Sequence, residues 1–456
     1  MHQRGFLFSM KNQDFSKLLN SQTQTCVLIA VMIRCFALFL FTSLVSAKEV
    51  PVADAKTFAE VIKQAQPGDT FVLSAGEWPD VQMRFHAEGT MEHPVTLKAA
   101  TAGKTIFTGE SRLQISGHHL IVEGLWFREP MQGSGEVIEL RTAYDELASN
   151  CLIRNCAVTS SKPVDLGKKT SRFCSIYGSD NVIEHCHFEG KNTGGTTLVV
   201  WLTPGGDGRH SIRSNYFGSR SELGENGGET IRLGDSKTHD QNAKCEITGN
   251  LFYHCNGEGE IISVKSCENR LANNTFIECE GALTLRHAHR CLVEGNLFAG
   301  NHNKNAGGIR IVGEDHVVRN NWIENCDGDE YRCALTFMNG IFETDDSGYQ
   351  QVKRALLEGN TVLDSRFSLL IGKQYRKSCT APPIDCVIRK NIFISPGHQL
   401  IELRTQAPGW KWENNVMIGK RIGIEGLPGV NLTKPELKRP KELTRSETGT
   451  DWLLQK

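Results

Sequence analysis

A motif marked by asparagine recurs ten times along this chain at a spacing close to constant. Each copy has a few apolar residues and a polar residue, then Asn or His, and then large residues. Successive marker positions are separated by 30, 30, 35, 24, 22, 25, 39, 31 and 24 residues. Short apolar alternations at this period exclude a helical repeat and predict one stacked coil per copy. The marker residues are Asn155, His185, Asn215, Asn250, Asn274, Asn296, Asn321, Asn360, Asn391 and Asn415.

The predicted fold is all-β, a right-handed single-stranded parallel β-helix whose neighbouring coils bury a continuous interior. Asn suits the bend between sheets because it tolerates left-handed backbone geometry and can bond the equivalent Asn of the next coil. Residues 55–66 form a predicted amphipathic helix, with Phe58, Val61 and Ile62 on one face. We expect this helix to cap the open end of the stack. Long spacings predict bulging loops around 196–210, 220–240 and 327–350.

The N-terminal region has the pattern of a secretory signal. Met32-Ile33-Arg34 precedes an apolar run that ends in Val45-Ser46-Ala47, which predicts cleavage near Ala47. The predicted organisation is a signal region at 1–47 with its true start at Met32, a β-helix domain at 48–425 and an exterior tail at 426–456. We therefore expect a secreted or periplasmic protein without stable membrane insertion. An uncleaved anchor is the alternative, because the apolar stretch begins near Cys26.

The net charge and the cysteine spacing exclude some classes of partner and site. The formal net charge of −1 gives no basic footprint for nucleic acid. The spacing of 10 to 12 residues in one group of cysteines suits stacked interior positions, and no CxxC metal pattern exists. We expect buried thiols there, and only Cys379 and Cys386, which flank a Pro-Pro loop, form a candidate local disulfide. The periodic group is Cys245, Cys255, Cys267, Cys279 and Cys291.

Two carboxylates interrupt a predicted apolar strand. Glu258 and Glu260 are two residues apart, so both side chains are expected on one face. Adjacent like charges repel unless a cation lies between them, and hard oxygen ligands favour calcium. Asn226 belongs to the preceding coil and offers a third oxygen. The alternative is a pair of solvated carboxylates on an outer strand.

Three cations follow at intervals close to one coil. Lys265 has the opposite strand parity to Glu260, so it reaches the same groove only if a bulge intervenes. Arg286 lies 21 residues beyond Lys265, and Arg310 lies 24 beyond Arg286. A metal site beside a base and a cationic clamp is what β-elimination on a uronate polysaccharide requires, because a proton next to a carboxylate must be removed. Hydrolysis instead needs two carboxyl groups across the bond, and residues two apart on one strand lie on the same side.

Four segments resemble polysaccharide lyase family 6, the group that contains alginate lyases and chondroitinase B. They are Asn226–Gly234, Glu258–Ser266, Leu283–His287 and Gly308–Arg310, and the similarity extends over about residues 50–425. The resemblance implies a lyase domain that binds Ca²⁺ through Asn226, Glu258 and Glu260. It implies Lys265 as general base and Arg286 as general acid or charge stabiliser. His287 and Arg310 are implied to bind substrate, with Arg232 and Glu229 in support.

The expected partner is an anionic polysaccharide, with alginate ahead of dermatan sulfate, and the expected state is a monomer. The Asn-Gly-Gly-Glu-Thr-Ile-Arg stretch looks more like the alginate-degrading members. Chondroitinase B recognises sulfate with extra arginines, whereas Arg354 and Arg376 are isolated here. Three alternatives stay open: a chondroitinase B-like dermatan sulfate lyase, a uronan C5-epimerase and a non-catalytic glycan-binding β-helix. An unsaturated product that absorbs ultraviolet light distinguishes a lyase from an epimerase.

Overall fold

The computed structural model of the protein describes residues 47–130, 135–163, 170–224, 226–344 and 348–454. This part of the chain winds into a right-handed parallel β-helix, which confirms the predicted fold. The predicted signal region, up to residue 46, lies outside the described residues. Within the described ranges, no helix has the length and apolar character that crossing a membrane requires.

Three parallel sheets form the walls, and each coil passes through the first, second and third sheet in turn. The first sheet contains Glu49–Val52, Thr70–Leu73, Val95–Ala99, Leu120–Glu123, Leu152–Arg154, Val182–Glu184, Ser211–Arg213, Glu246–Thr248, Arg270–Ala272, Leu292–Glu294, Val317–Arg319, Leu356–Glu358, Val387–Arg389 and Lys411–Glu413. The second contains Gly76–Pro79, Thr105–Thr108, Leu125–Arg128, Ala157–Thr159, His187–Glu189, Tyr216–Phe217, Leu251–Tyr253, Thr275–Ile277, Leu297–Ala299, Trp322–Glu324, Thr361–Leu363, Ile392–Gln399, Asn415–Arg421 and Val430–Asn431. The third contains Gln82–Glu88, Arg112–His118, Gly135–Glu139, Ala148–Ser149, Ser171–Ile176, Leu198–Val200, Ile231–Gly234, Glu260–Lys265, Gly281–Leu285, Ala306–Ile311, Leu335–Met338, Leu369–Lys373 and Ile401–Leu403.

The predicted helix covers the first coil, although it is shorter than expected. It spans Ala55–Val61 and continues as a 3₁₀ turn over Ile62–Gln64. Asp54 caps it, because its carboxylate accepts the N–H of Thr57 at 2.7 Å. Phe58 is buried against Phe71 and Phe85, with ring centroids 5.9 and 6.3 Å away. The helix thus shields the apolar interior at the end of the stack.

The interior is a column of stacked side chains. Five phenylalanines of the second sheet stack with centroid separations of 4.5–5.4 Å: Phe188, Phe217, Phe252, Phe276 and Phe298. The thirteen cysteines of the described chain are all buried and free, which confirms the prediction made for the five periodic ones. Cys379 and Cys386 are among them, so the candidate disulfide is not formed.

The asparagine ladder exists, but it begins later than predicted. Each Asn from Asn215 to Asn391 donates its side-chain N–H to the side-chain oxygen of the next ladder Asn at 2.9–3.1 Å. Asn155 and His185 were assigned one residue out of register, because the interior positions of their coils hold Cys156 and Cys186. The left-handed residue is also not the ladder Asn but the one before it. Those residues are Ser214, Gly249, Asn273, Gly295, Asn320, Gly359, Lys390 and Asn414.

The three predicted loop segments are only partly loops. Each also supplies a strand of the third sheet: Leu198–Val200, Ile231–Gly234 and Leu335–Met338. The segment predicted as an exterior tail supplies the last strand, Val430–Asn431, and then runs back along the second sheet. Arg439 pairs with Glu324, and Arg445 contacts His187 at 2.9 Å. Trp452 packs on Trp126 with a centroid separation of 5.8 Å.

Candidate active site

A bulge on the strand Glu260–Lys265 sets the geometry of the site. Ile262 and Val264 point into the core and pair with Leu283 and Leu285 of the next coil. Between Glu260 and Ile262 the register shifts, so that two residues of this strand oppose one of its partner. The shift turns Glu260 outward to the same face as Lys265, which confirms the bulge that the sequence required.

Three carboxylates converge beside this bulge. Oxygens of Glu229, Glu258 and Glu260 lie within 4.8 Å of one another. Glu258 precedes the strand rather than lying on it, so strand parity was the wrong reason for its convergence with Glu260. The N–H groups of Gly227 and Gly228 hold Glu258 instead, donating to its Oε2 at 2.9 and 3.3 Å.

The electrostatics of the cluster differ from one carboxylate to the next. Burial, with Glu229 and Glu260 nearby, raises the pKa of Glu258 to about 7. Burial also opposes ionisation of Glu260, but Arg310 and Arg286 outweigh it and lower the pKa of Glu260. Glu260 therefore stays charged while Glu258 titrates near neutrality.

The cluster fits a hard cation. Glu229 is buried, and its Oε2 accepts no hydrogen bond from any residue that the structure describes. A buried unpaired oxygen beside two further carboxylates is costly unless a cation satisfies it. Oxygen donors of this kind suit calcium, so Glu229, Glu258 and Glu260 would hold the ion. The burial of Glu229 supports this role better than the substrate contact expected from the sequence.

The predicted cations surround the cluster. Lys265 Nζ lies 4.0 Å from Glu229 Oε1, and Arg286 Nε lies 3.3 Å from Glu260 Oε1. Arg310 also donates to Glu260. Arg286 Nη1 is buried without a hydrogen-bond partner among the described residues, which leaves one donor available to a ligand.

His287 stands beside these cations as a neutral ring. Burial, together with Arg286 and Lys265, lowers its pKa to about 3. Its Nδ1 is buried and has no hydrogen-bond partner in the described part of the chain. The ring can therefore donate or accept one hydrogen bond but carries no charge at neutral pH.

A cleft of about 430 Å³ lies over these residues. Its lining contains seven of the predicted site residues: Asn226, Glu258, Glu260, Lys265, Arg286, His287 and Arg310. Asn226 is exposed and lines the cleft, and the N–H of the next residue, Gly227, donates to Glu258. Arg232 does not line the cleft, and its guanidinium lies over the Trp201 ring, 4.6 Å from the centroid.

Sequence reasoning missed three tyrosines in the cleft wall. Tyr331, Tyr349 and Tyr375 line it, and Arg286 lies over Tyr349 at 3.9 Å from the ring centroid. Burial raises the pKa of Tyr349 to about 12, so its hydroxyl stays protonated. Two of the three belong to the segment 327–350, whose length was the one available signal.

A buried arginine supports the cluster from below. Arg220 Nη1 donates to the carbonyl oxygen of Glu229 at 2.9 Å, and its Nη2 donates to that of Gly195 at 2.8 Å. It fixes the backbone on which Glu229 is mounted without touching the cleft. Sequence spacing gave no signal for it.

Comparisons with known proteins identify a matching family and several similar structures. The chondroitinase B family model matches residues 52–445. The PL6 family alginate lyase AlyGC is 33% identical with a TM-score of 0.81, over 88% of this chain and 56% of that one. A mannuronic acid specific polysaccharide family 6 lyase from human gut microbiota is 28% identical with a TM-score of 0.72, over 81% and 85%. The PL6 family polysaccharide lyase Pedsa3628 from Pseudopedobacter saltans is 25% identical with a TM-score of 0.71, over 88% and 99%.

Among curated proteins, no significant match is found. This chain spans 56% of the length of AlyGC, so similarity to that enzyme extends over just part of it. The family model, by contrast, covers most of the chain, including every residue of the cleft. The chain belongs to polysaccharide lyase family 6, the family of chondroitinase B.

Proposed function

We propose that this protein is a lyase that cleaves alginate by calcium-assisted β-elimination and leaves unsaturated uronate ends. The observation that carries the proposal is the bulge that brings Glu260 and Lys265 to one face, with Glu229, Glu258 and Arg286 beside them. A base, a cationic donor and a cation-binding cluster then meet in one cleft. The names of AlyGC and of the mannuronic acid specific lyase support a uronate substrate.

The roles follow from position. Lys265 takes the proton on carbon 5 of the uronate, next to the carboxylate. Arg286 stabilises the negative charge that develops, through the donor left without a partner. Tyr349, which lines the cleft and keeps its hydroxyl protonated, donates a proton to the departing glycosidic oxygen. A bound calcium ion would supply Lewis acidity toward the substrate carboxylate.

The substrate contacts are assigned to the remaining polar groups of the cleft. His287 is neutral and offers one hydrogen bond to a sugar hydroxyl. Arg310 is committed to Glu260, so it orients that carboxylate as well as adding positive charge to the wall. The net effect is a polar cleft suited to an anionic sugar ring.

An ultraviolet absorbance assay tests the proposal. The protein is incubated with alginate, with and without a chelator, and we expect absorbance from the new double bond to rise only in the presence of calcium. No rise on any uronan would contradict lyase activity and leave the epimerase and the glycan-binding alternatives. A rate unchanged by the chelator would contradict only the role of calcium and leave the lyase assignment standing.

Dermatan sulfate is the second substrate to test, because the matching family model bears the name of chondroitinase B. Arg354 is engaged by Glu314 and Asp315, which makes it a poor sulfate ligand. We therefore expect alginate to be cleaved faster. A faster rate on dermatan sulfate would reverse the assignment.

We also propose that the protein acts outside the cytoplasm, on the basis of the signal pattern that ends near Ala47. N-terminal sequencing of protein expressed in a bacterial host checks this. A mature chain that begins near Lys48 is the expected result, and an intact N-terminus on a cytoplasmic product would contradict it.

A further inference from the structure

Asp69, at the capped end of the β-helix and far from the cleft in sequence, is a buried acidic residue. No lysine, arginine or histidine in the described part of the chain forms an ion pair with it. Its oxygens accept backbone N–H groups instead: Oδ1 accepts that of Lys48 and Oδ2 that of Gln66, each at 3.0 Å. Buried carboxylates usually have a cationic partner, because burial of an unpaired charge is costly. Asp69 therefore lacks a counter-ion among the described side chains.

Three parts of the capped end meet at Asp69. Its N–H donates to the carbonyl oxygen of Gln66 at 3.0 Å, which closes the turn that follows the helix. Its carbonyl oxygen accepts the N–H of Thr96, in the next coil, at 2.8 Å. The carbonyl oxygen of Lys48 accepts the N–H of Thr70 at 2.8 Å, beside the bond from Lys48 to the carboxylate. The helix, the first strand and the second coil are thus joined through one residue.

The first strand is the weakest element that Asp69 holds. Glu49–Val52 lies at the edge of the first sheet and pairs on one side only, with Thr70–Leu73. Of its four residues only Val52 is buried. A short edge strand with little buried surface opens more readily than strands that are paired on both sides. A stronger bond at Lys48, immediately before this strand, would therefore stabilise the strand as a whole.

Signal cleavage would change the charge of the contact at Asp69. Val45-Ser46-Ala47 has the small residues of a cleavage site, and Lys48 is the residue that follows. Hydrolysis of the peptide bond between Ala47 and Lys48 by a signal peptidase leaves a carboxylate on Ala47 and an ammonium group on Lys48. The nitrogen that becomes this ammonium group is the one that lies 3.0 Å from Asp69 Oδ1. The new charge adds Coulomb attraction to the hydrogen bond, and this attraction is stronger in a partly buried position than in water.

We propose that the amino group of Lys48, created by signal cleavage, forms an ion pair with Asp69 that locks the first strand and the helical cap of the mature protein. The inference rests on the proposed processing near Ala47. In the uncleaved chain the same nitrogen is a neutral amide, so the precursor has the hydrogen bond without the ion pair. The ion pair also fixes the cleavage site, because cleavage one residue away would move the ammonium group off Asp69.

Two chains with defined first residues test this. One begins at Lys48 and the other at Ser46, each released from a fusion by a protease that leaves no added residue. We expect the chain that begins at Lys48 to have a Tm higher by about 2–4 °C. Hydrogen exchange of the amides of Glu49–Val52 should be about tenfold slower in that chain. Asp69→Asn should remove both differences, because the amide side chain keeps the hydrogen bond but carries no charge.

The matched control is Asp54→Asn, at the exposed carboxylate that caps the helix. It should lower the Tm of both chains equally and leave the difference between them unchanged.

Equal Tm values or equal exchange rates in the two wild-type chains would overturn the ion pair, whether or not Asp69→Asn folds. A difference that persists in Asp69→Asn would overturn it as well. The fusion sets the first residue, so these outcomes do not depend on natural processing. N-terminal sequencing of the exported protein that finds a first residue other than Lys48 would instead contradict the processing on which the pair depends.

Discussion

Glu260 and Lys265 share one face of their strand although they are five positions apart along the chain. In a regular strand an odd separation places two side chains on opposite faces. The register shift between Glu260 and Ile262 removes this opposition, while Ile262 and Val264 stay in the core. The site therefore depends on one irregularity of the backbone as much as on its side chains.

Lys265→Met should abolish turnover while leaving the fold intact. The thioether cannot accept a proton, and a positioned base contributes about 10²- to 10⁴-fold to rate. Unsaturated product measured by absorbance checks the loss, and thermal unfolding checks the fold. Lys237→Met is the control, since Lys237 is exposed and outside the cleft lining. Full activity in Lys265→Met would contradict the assignment of Lys265 as the base.

Glu258→Gln should change stability in opposite directions with and without calcium. In chelator, removal of one of three neighbouring carboxylates relieves repulsion, so Tm should rise by a few degrees. Calcium at about 100 times Kd should stabilise the wild type by about 2.7 kcal/mol, and this gain should vanish in the variant. Glu222→Gln, at the cleft but outside the cluster, should behave as wild type. Retention of the calcium-dependent rise in Glu258→Gln would contradict the metal assignment.

His210→Asn combined with His316→Asn should make the protein less sensitive to acid. His316 Nδ1 accepts the N–H of Cys291 at 3.2 Å, and its Nε2 donates to the carbonyl oxygen of Val312 at 3.0 Å, so the ring is neutral. Burial lowers the pKa of both histidines to about 4. The unfolded chain, with histidine pKa near 6.5, binds more protons between pH 6.5 and 4, so stability falls as pH falls through that window.

The expected gain of each histidine replacement at pH 5 relative to pH 8 is about 2 kcal/mol. Asn is the appropriate substitute, because Asn181 and Asn269 fill the same position in other coils and accept the equivalent N–H. Urea unfolding at the two pH values measures the difference. His118→Asn, at an exposed position, should show none. Equal pH dependence in wild type and the double variant would refute the prediction.

Asn274→Ala should destabilise the β-helix by about 3 kcal/mol, since several buried partners lose their hydrogen bonds. Asn274 accepts the backbone and side-chain N–H groups of Asn250 at 3.0 Å and donates to Ile247 and Asn296 at 2.9 Å. The free energy of unfolding from denaturant titration checks it. Asn431→Ala, at an exposed Asn, should cost less than about 0.5 kcal/mol. Similar costs for the two variants would show that the ladder contributes little.

The period of the sequence predicted the fold because each coil repeats one pattern of buried side chains. The exact residue at the ladder position of each coil was harder to predict, because that position accepts several residue types. Cys156 and Cys186 fill the interior position that Asn fills in later coils. The sequence pattern therefore placed the neighbouring Asn155 and His185 in the ladder by mistake. A left-handed residue and a ladder residue are adjacent and are both often Asn, so spacing alone does not separate them.

The candidate site was predictable where strands carry it and not where loops do. Lys265 and Arg286 were found because one coil separates them. The burial of Glu229, the backbone clamp on Glu258 and the three tyrosines depend on loop conformation, which leaves no periodic trace. Arg220 was missed for the same reason, because its partners are backbone carbonyls.

The returning tail changes how the coils share their stability. In a solenoid each coil touches only its neighbours, so either end can fray without disturbing the other. Here Arg439 is tied to Glu324 and Trp452 to Trp126, with Leu443 bonded to Thr275 between them. Opening the early coils must therefore detach a strap that is also anchored far along the stack. Unfolding of coils that do not touch each other is therefore coupled through the C-terminal segment.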